Sequence, residues 1–193
     1  MTPTSLLVPT YTNMLTAFDQ WLGKAAEMEG AGDGAVPGDA VMAARLAPDM
    51  FPLATQVRFA CVQAYEGTAR LADSELSPMV AELLEEGRAA GERPGTIADA
   101  RARIGATLTD LLGGLPGGAL DGEMDRALEH ALPMGMVFDL TAGQYLRDWA
   151  IPQFFFHVMT GYAILRQEGV PLGKADYVSH MFQFVRPGTM PTG

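Results

Sequence analysis

The segment of this chain that most informs the fold reads Ala150-Ile-Pro-Gln-Phe-Phe-Phe-His-Val-Met-Thr-Gly161, and it overlaps the most apolar stretch, residues 149–159. It lies within a helix that we predict over about residues 142–167. Thr141 followed by Gln144 has the pattern of a capping box, in which two side chains satisfy the free N–H groups at a helix start. Pro152 lies inside this helix and has no N–H, so we expect it to bend the helix axis.

Two polar residues interrupt the apolar segment, and they lie four positions apart. Gln153 and His157 therefore share one face of the predicted helix. The other residues of that face are small or apolar, namely Ala150, Phe154, Gly161 and Ile164. We expect this face, with its two polar side chains, to point into the protein interior.

Apolar residues at three- and four-residue spacing predict further helices along the chain. The first follows Thr10, as its N-cap, and ends at the glycine-rich residues 30–38. The others cover about residues 39–46, 49–72, 77–90, 96–112 and 174–184. Ser77 before Pro78, and Thr96 with Asp99, are typical N-terminal signals.

The remaining elements predict an all-α fold with a small β-hairpin. Residues 126–132 and 136–140 alternate weakly and flank a Pro-Met-Gly turn, which favours a hairpin. Four long helices with short accessory helices pack most naturally as an up-and-down four-helix bundle. We expect one domain over residues 1–193, with a frayed tail at about 186–193.

The charge balance argues against one class of partner. The chain has 23 acidic and 13 basic residues, a net charge of −10. Binding to phosphate backbones requires clustered Lys and Arg, and the sequence shows no such cluster. We therefore expect no nucleic-acid partner.

The cysteine and the hydropathy pattern indicate a cytoplasmic protein. The single cysteine, Cys61, cannot form an internal disulfide, and its apolar neighbours predict a buried core position. The apolar stretch at 149–159 is shorter than the roughly 20 residues that a bilayer-spanning helix needs. We expect no membrane partner.

His157 is the main candidate for chemistry. It is either a core histidine held by a hydrogen bond, or a metal ligand or general acid/base in a pocket between helices. His130 and His180 are expected at the surface.

Several segments together resemble a known family. They are Arg45–Gln56, Ala69–Ala72, Pro152–Arg166 and Gly169–Lys174. This pattern is similar to the family known as domain of unknown function nineteen ninety-three, which is placed in the DinB/YfiT-like superfamily of proposed metalloenzymes. The resemblance covers about residues 5–180, and residues 73–95 look longer than in the family, which suggests an additional helix.

The resemblance implies a DinB-like four-helix bundle that often forms a homodimer. Characterised members of the superfamily include metal-dependent thiol transferases and hydrolases, whose metal is held by one histidine on the second long helix and a His-x-x-x-His pair on the last. His157 matches one member of that pair, and Gln153 or Gly161 stands at the partner position. The second helix has Gln56 as its inward polar candidate.

Two functions remain open from the sequence. In the first, His157 is a catalytic group or metal ligand in a small-molecule site, with Gln153, Gln56 and Asp49 around it; Asp49 is equally suited to cap the second helix. Tyr162 is a further candidate ligand contact or a packing residue. In the second, the chain is a non-catalytic dimeric binding or scaffold module that has lost the metal triad. The residues identify no particular ligand or cofactor.

Overall fold

The computed structural model describes residues 1–28, 38–115 and 117–189 of the 193-residue chain. Helix α1 covers Pro3–Glu27, and the side chain of Thr2 accepts a hydrogen bond from the N–H of Ser5 at its start. The prediction that Thr10 is the N-cap is therefore wrong: Thr10 is inside the helix, and its hydroxyl donates to the carbonyl of Leu6. Thr2, Pro3 and Ser5 supply an earlier start signal, because proline suits the first turn.

Three helices follow in the middle of the chain. They are α2 (Leu53–Leu71), α3 (Pro78–Ala89) and α4 (Ile97–Gly113), after a short 3-10 segment at Gly38–Ala43. Ser77 caps α3, and the Thr96–Asp99 capping box begins α4. The predicted end of the first helix at residues 30–38 falls largely outside the described residues.

The last long helix contains a short π-helical segment. After α5 (Ala142–Gln144), which Thr141 caps, residues Tyr145–Ala150 are π-helical, and α6 follows at Ile151–Gln167. The N–H of Ile151 donates to the carbonyl of Leu146, five residues earlier. Pro152 therefore lies in the first turn of α6, after a widened π-helical turn. The bend was expected at Pro152 inside the helix; the structure instead has the irregularity in the π-helical residues before Pro152.

The predicted hairpin is present. Strand β1 (Ala127–Ala131) pairs antiparallel with β2 (Val137–Thr141), so that His130 lies opposite Phe138. Gly135 in the connecting turn has φ +87°, a backbone conformation that glycine adopts without a steric penalty. A last helix α7 (Lys174–Tyr177) and a 3-10 segment at Ser179–Phe184 complete the chain. Residues 190–193 of the predicted frayed tail lie outside the described residues.

Four helices, α1, α2, α4 and α6, form the bundle, as predicted. Helix α1 packs against α4 and α6, α2 packs against α4 and α6, and α3 packs on the outside of α2. The face of α6 expected to be buried is buried, except for Gln153, which is half-buried. At Gly161 an added Cβ would meet the ring of Phe18 at 2.3 Å, so glycine lets α1 approach α6 closely. Among the described residues, none of the helices has the length and apolarity that a membrane span requires.

Candidate functional site

The imidazole of His157 is linked to a side chain of the second long helix. Its Nδ1 lies 2.9 Å from Oε1 of Gln56, and the two residues are 101 positions apart in the chain. His157 is 8 % exposed and Gln56 is 2 % exposed. The expected inward direction of both side chains is therefore correct, and the bond joins α2 to α6.

A second hydrogen bond assigns the proton of the imidazole. Nε2 of Gln56 donates to the backbone carbonyl of Phe51 at 3.1 Å, so Oε1 is the atom that faces His157. Since Oε1 can only accept, Nδ1 must carry the hydrogen. The Nε2 atom of His157 is then an unprotonated acceptor, and it has no hydrogen-bond partner within the described part of the chain.

Aromatic rings surround the imidazole. The ring of Phe59 lies 5.5 Å from that of His157, the ring of Phe156 lies at 5.3 Å, and both contacts are edge-on. Phe51 packs against Phe59 at 5.8 Å. Burial in this environment lowers the pKa of His157 to about 4, because the charged form loses its hydration. The imidazole is therefore neutral at physiological pH.

Two of the predicted site residues are not joined to His157. Gln153 is half-buried, and its side chain makes no hydrogen bond to another described residue. Asp49 is exposed in the turn before α2, where Pro52 occupies the N-cap position without a side-chain bond. Asp49 is therefore not the helix cap, and its carboxylate is not hydrogen-bonded to the Gln56–His157 pair.

Tyr162 belongs to an aromatic cluster on another side of α6. Its ring lies 5.2 Å from Trp21 and 6.2 Å from Tyr177, in edge-on contacts. One turn later, Arg166 donates to the carbonyl of Leu172 after the helix end. This arrangement matches the packing interpretation of Tyr162.

The expectation that His130 lies at the surface is wrong. Its side chain is 2 % exposed and packs against Tyr145 and Trp149. No local pattern indicated this burial, since a histidine in a short, weakly alternating strand can face either side of the hairpin. His180 is half-buried and lines a cleft of about 410 Å³ between α1, α6 and the C-terminal segment.

The residues around His157 do not fit the metal centre that the resemblance implies. A catalytic zinc ion needs about three nitrogen, sulfur or carboxylate ligands. Within residues 1–28, 38–115 and 117–189, no three His, Cys, Asp or Glu side chains are grouped to hold a metal ion. Oε1 of Gln56 is already bonded to His157, and it is a neutral donor that binds divalent metals weakly.

The aromatic surroundings of His157 were missed at the level of sequence. A signal was available for two of the rings, because Phe156 is adjacent to His157 and Phe59 is three residues after Gln56. Phe51 is brought in by the turn before α2, which no periodic pattern describes. Phe51 and Phe156 remain 52 % and 56 % exposed, and together with Phe59 they form an apolar rim, the Phe51–Phe59–Phe156 rim.

Comparisons with known proteins agree with the fold. No curated protein matches the chain significantly. A crystal structure of a DinB family member protein from Shewanella denitrificans is similar, with a TM-score of 0.68 and 28 % sequence identity. The similarity covers 97 % of this chain and 95 % of that chain. The family described as Domain of unknown function (DUF1993) matches residues 4–178. Since that match covers nearly the whole sequence, the chain belongs to this family and has a DinB-like fold.

Proposed function

We propose that this chain is a small-molecule-binding protein whose ligand donates a hydrogen bond to Nε2 of His157. The observation that carries the proposal is the bond between Nδ1 of His157 and Oε1 of Gln56. It holds the ring in one orientation and one tautomer, with the second nitrogen free to accept. A hydrogen bond to one ring nitrogen of a histidine fixes the tautomer and the orientation of the ring, and so prepares the other nitrogen for one specific contact.

The chemistry of the imidazole favours binding over proton transfer. A general acid or base works best with a pKa near the operating pH. Burial lowers the pKa of His157 to about 4, so the ring is a weak base at neutral pH. A neutral acceptor beside the exposed Phe51 and Phe156 rings suits an apolar or aromatic molecule that carries one hydroxyl or N–H group.

Phenol and anisole test this proposal as a matched pair of probes. The two molecules have similar rings, but only phenol can donate a hydrogen bond. We expect saturable phenol binding by NMR titration of the full chain, and much weaker binding of anisole. His157→Ala should keep the helical circular dichroism spectrum and lose the phenol response.

Other outcomes would contradict the proposal. Equal binding of phenol and anisole, or of phenol to the parent and His157→Ala, would show that Nε2 is not the acceptor. Unfolding of His157→Ala without any ligand response in the parent would mean that the histidine is structural. Near-stoichiometric zinc, nickel or iron in protein purified without chelator would instead favour a metal-dependent enzyme.

A homodimer interface is the second candidate for the same face. Phe51, Phe156 and Met159 are 52 %, 56 % and 41 % exposed, and Phe156 and Met159 lie three residues apart on α6. Large exposed apolar side chains grouped on one face are typical of association surfaces. Sedimentation equilibrium tests this: a dimer that Phe156→Glu converts to a monomer supports the interface, and a monomeric parent chain rejects it. The cytoplasmic location expected from the sequence stays a prediction.

A further inference from the structure

A second group of buried polar side chains lies where the hairpin meets the π-helical segment. The ring of His130 in β1 lies 4.5 Å from that of Trp149 and 5.3 Å from that of Tyr145. Phe138, opposite His130 in β2, packs on Trp149 at 5.6 Å. We call His130, Tyr145 and Trp149, with Arg70 of α2, the His130 cluster.

The polar atoms of the His130 cluster are buried without partners among the described residues. These atoms are Nδ1 and Nε2 of His130, the hydroxyl of Tyr145, Nε1 of Trp149 and Nε of Arg70. Buried polar groups in native proteins are nearly always hydrogen-bonded, and each exception calls for an explanation such as a bound molecule. Four such residues in one place are therefore evidence for a ligand.

Helix α2 presents a charged face to this region. Gln63, Glu66 and Arg70 share one face by their spacing, and Oε1 of Gln63 is also buried without a partner. Arg70 lies beside the hairpin, with Nη1 3.5 Å from the carbonyl of Glu129. Burial, opposed in part by Arg70, raises the pKa of Glu66.

The unpartnered groups are mainly donors. Arg70 Nε–H, the Trp149 indole N–H and the Tyr145 hydroxyl all donate, and a neutral histidine donates through one of its two nitrogens. Burial, together with the nearby Arg70 charge, lowers the pKa of His130 to about 4, so that the ring is neutral. A ligand that complements these four donors, one of which belongs to the Arg70 guanidinium, must carry several acceptor atoms, and a carboxylate does so in the fewest atoms.

We propose that the His130 cluster binds a small organic monocarboxylate between α2, the hairpin and the π-helical segment. The π-helical segment supports this independently, because it carries both Tyr145 and Trp149, and π-helical turns occur frequently at functional sites. The site is separate from that of His157. Gln56 and Glu66 are ten residues apart on α2, which is roughly 15 Å along a helix.

The chain carries a built-in reporter for this proposal. It has two tryptophans, so its proton NMR spectrum should contain two indole N–H signals. Trp21 Nε1 donates to the carbonyl of Asp176 at 3.3 Å and serves as the internal reference. We expect sodium propionate to shift the Trp149 signal saturably, while propionamide, its neutral analogue, and sodium chloride do not.

Matched variants identify the binding groups. Tyr145→Phe removes only the buried hydroxyl, and we expect propionate affinity to fall about tenfold or more, as for a lost hydrogen bond to a charged group. Arg70→Gln should abolish the response. Tyr65→Phe is the control, since the Tyr65 hydroxyl donates to Asp110 at 2.6 Å and lies outside the cluster; its affinity should match the parent.

Three results would overturn the proposal. They are the lack of a saturable shift with propionate, an equal response to propionamide, and unchanged affinity in both Tyr145→Phe and Arg70→Gln. The first of these would mean that ordered water satisfies the cluster. These outcomes do not depend on phenol binding at His157.

Discussion

Nδ1 of His157 lies 2.9 Å from Oε1 of Gln56, and this bond joins the last long helix to the second. Because the Gln56 amide is itself held by the carbonyl of Phe51, the imidazole has a defined tautomer. The two buried polar groups satisfy each other, so the pair stabilises the bundle and also exposes one specific acceptor atom, Nε2.

The pH dependence of stability should report the burial of His157. Its pKa falls from 6.5 to about 4 on folding, so the unfolded chain binds more protons between these values. The contribution of this residue to the free energy of unfolding is fully present above pH 6.5 and is lost as the pH falls toward 4. We expect a loss of about 2 kcal/mol between pH 7.5 and pH 5 from this residue.

Urea unfolding at the two pH values measures this loss. His157→Gln should have a smaller decrease in unfolding free energy than the parent chain over the same interval. His180→Gln, at a half-buried position of the C-terminal segment, is the matched control. Identical pH dependence in the parent and His157→Gln would show that the imidazole is not desolvated.

The space around two glycines predicts opposite effects on stability when each is replaced by alanine. In Gly161→Ala the new Cβ would meet Phe18 at 2.3 Å, so we expect destabilisation of about 1–3 kcal/mol from overpacking. Gly105 in α4 has open space around an added Cβ, so Gly105→Ala should stabilise by up to about 1 kcal/mol. Thermal unfolding of both variants checks the prediction, and a neutral Gly161→Ala would show that the helices separate easily.

Because Arg58 is buried, we expect the free energy of unfolding to depend on its ion-pair partner Glu86. Nε of Arg58 lies 3.4 Å from a Glu86 oxygen, and the Arg58 side chain is only 6 % exposed. Glu86 also pairs with the half-buried Arg103. Glu86→Gln weakens both pairs, one of which involves a desolvated guanidinium, and we expect a cost of about 1–2 kcal/mol after allowing for the partial exposure of Glu86. Asp148→Asn breaks the exposed pair with Arg147 and should leave the unfolding free energy unchanged. Equal effects in denaturant titrations would contradict this reasoning.

The thiol of Cys61 should be unreactive in the folded chain. The residue is fully buried, and burial raises its pKa to about 11, so almost no thiolate forms at neutral pH. A thiol-reactive chromophore should label one equivalent in guanidinium chloride and react very slowly without it. Rapid labelling of the native chain would mean that the core around Cys61 opens readily.

Local signals predicted most of the helices and strands correctly. The capping boxes at Thr96 and Thr141, the hairpin turn at Gly135 and the inward face around His157 all depend on residues within a few positions of each other. The Thr10 cap was wrong because Thr2 and Pro3 supply a start signal about two turns earlier, and both signals are locally acceptable.

The sequence by itself therefore determined the all-α class, the hairpin and the inward direction of one imidazole. Only the tertiary structure decided that Gln56 is its partner, that Asp49 stays in solvent and that His130 is buried against Tyr145 and Trp149. The physical reason is range: helix caps and periodicity act over one or two turns, whereas burial and pairing between distant residues depend on how whole helices pack against each other.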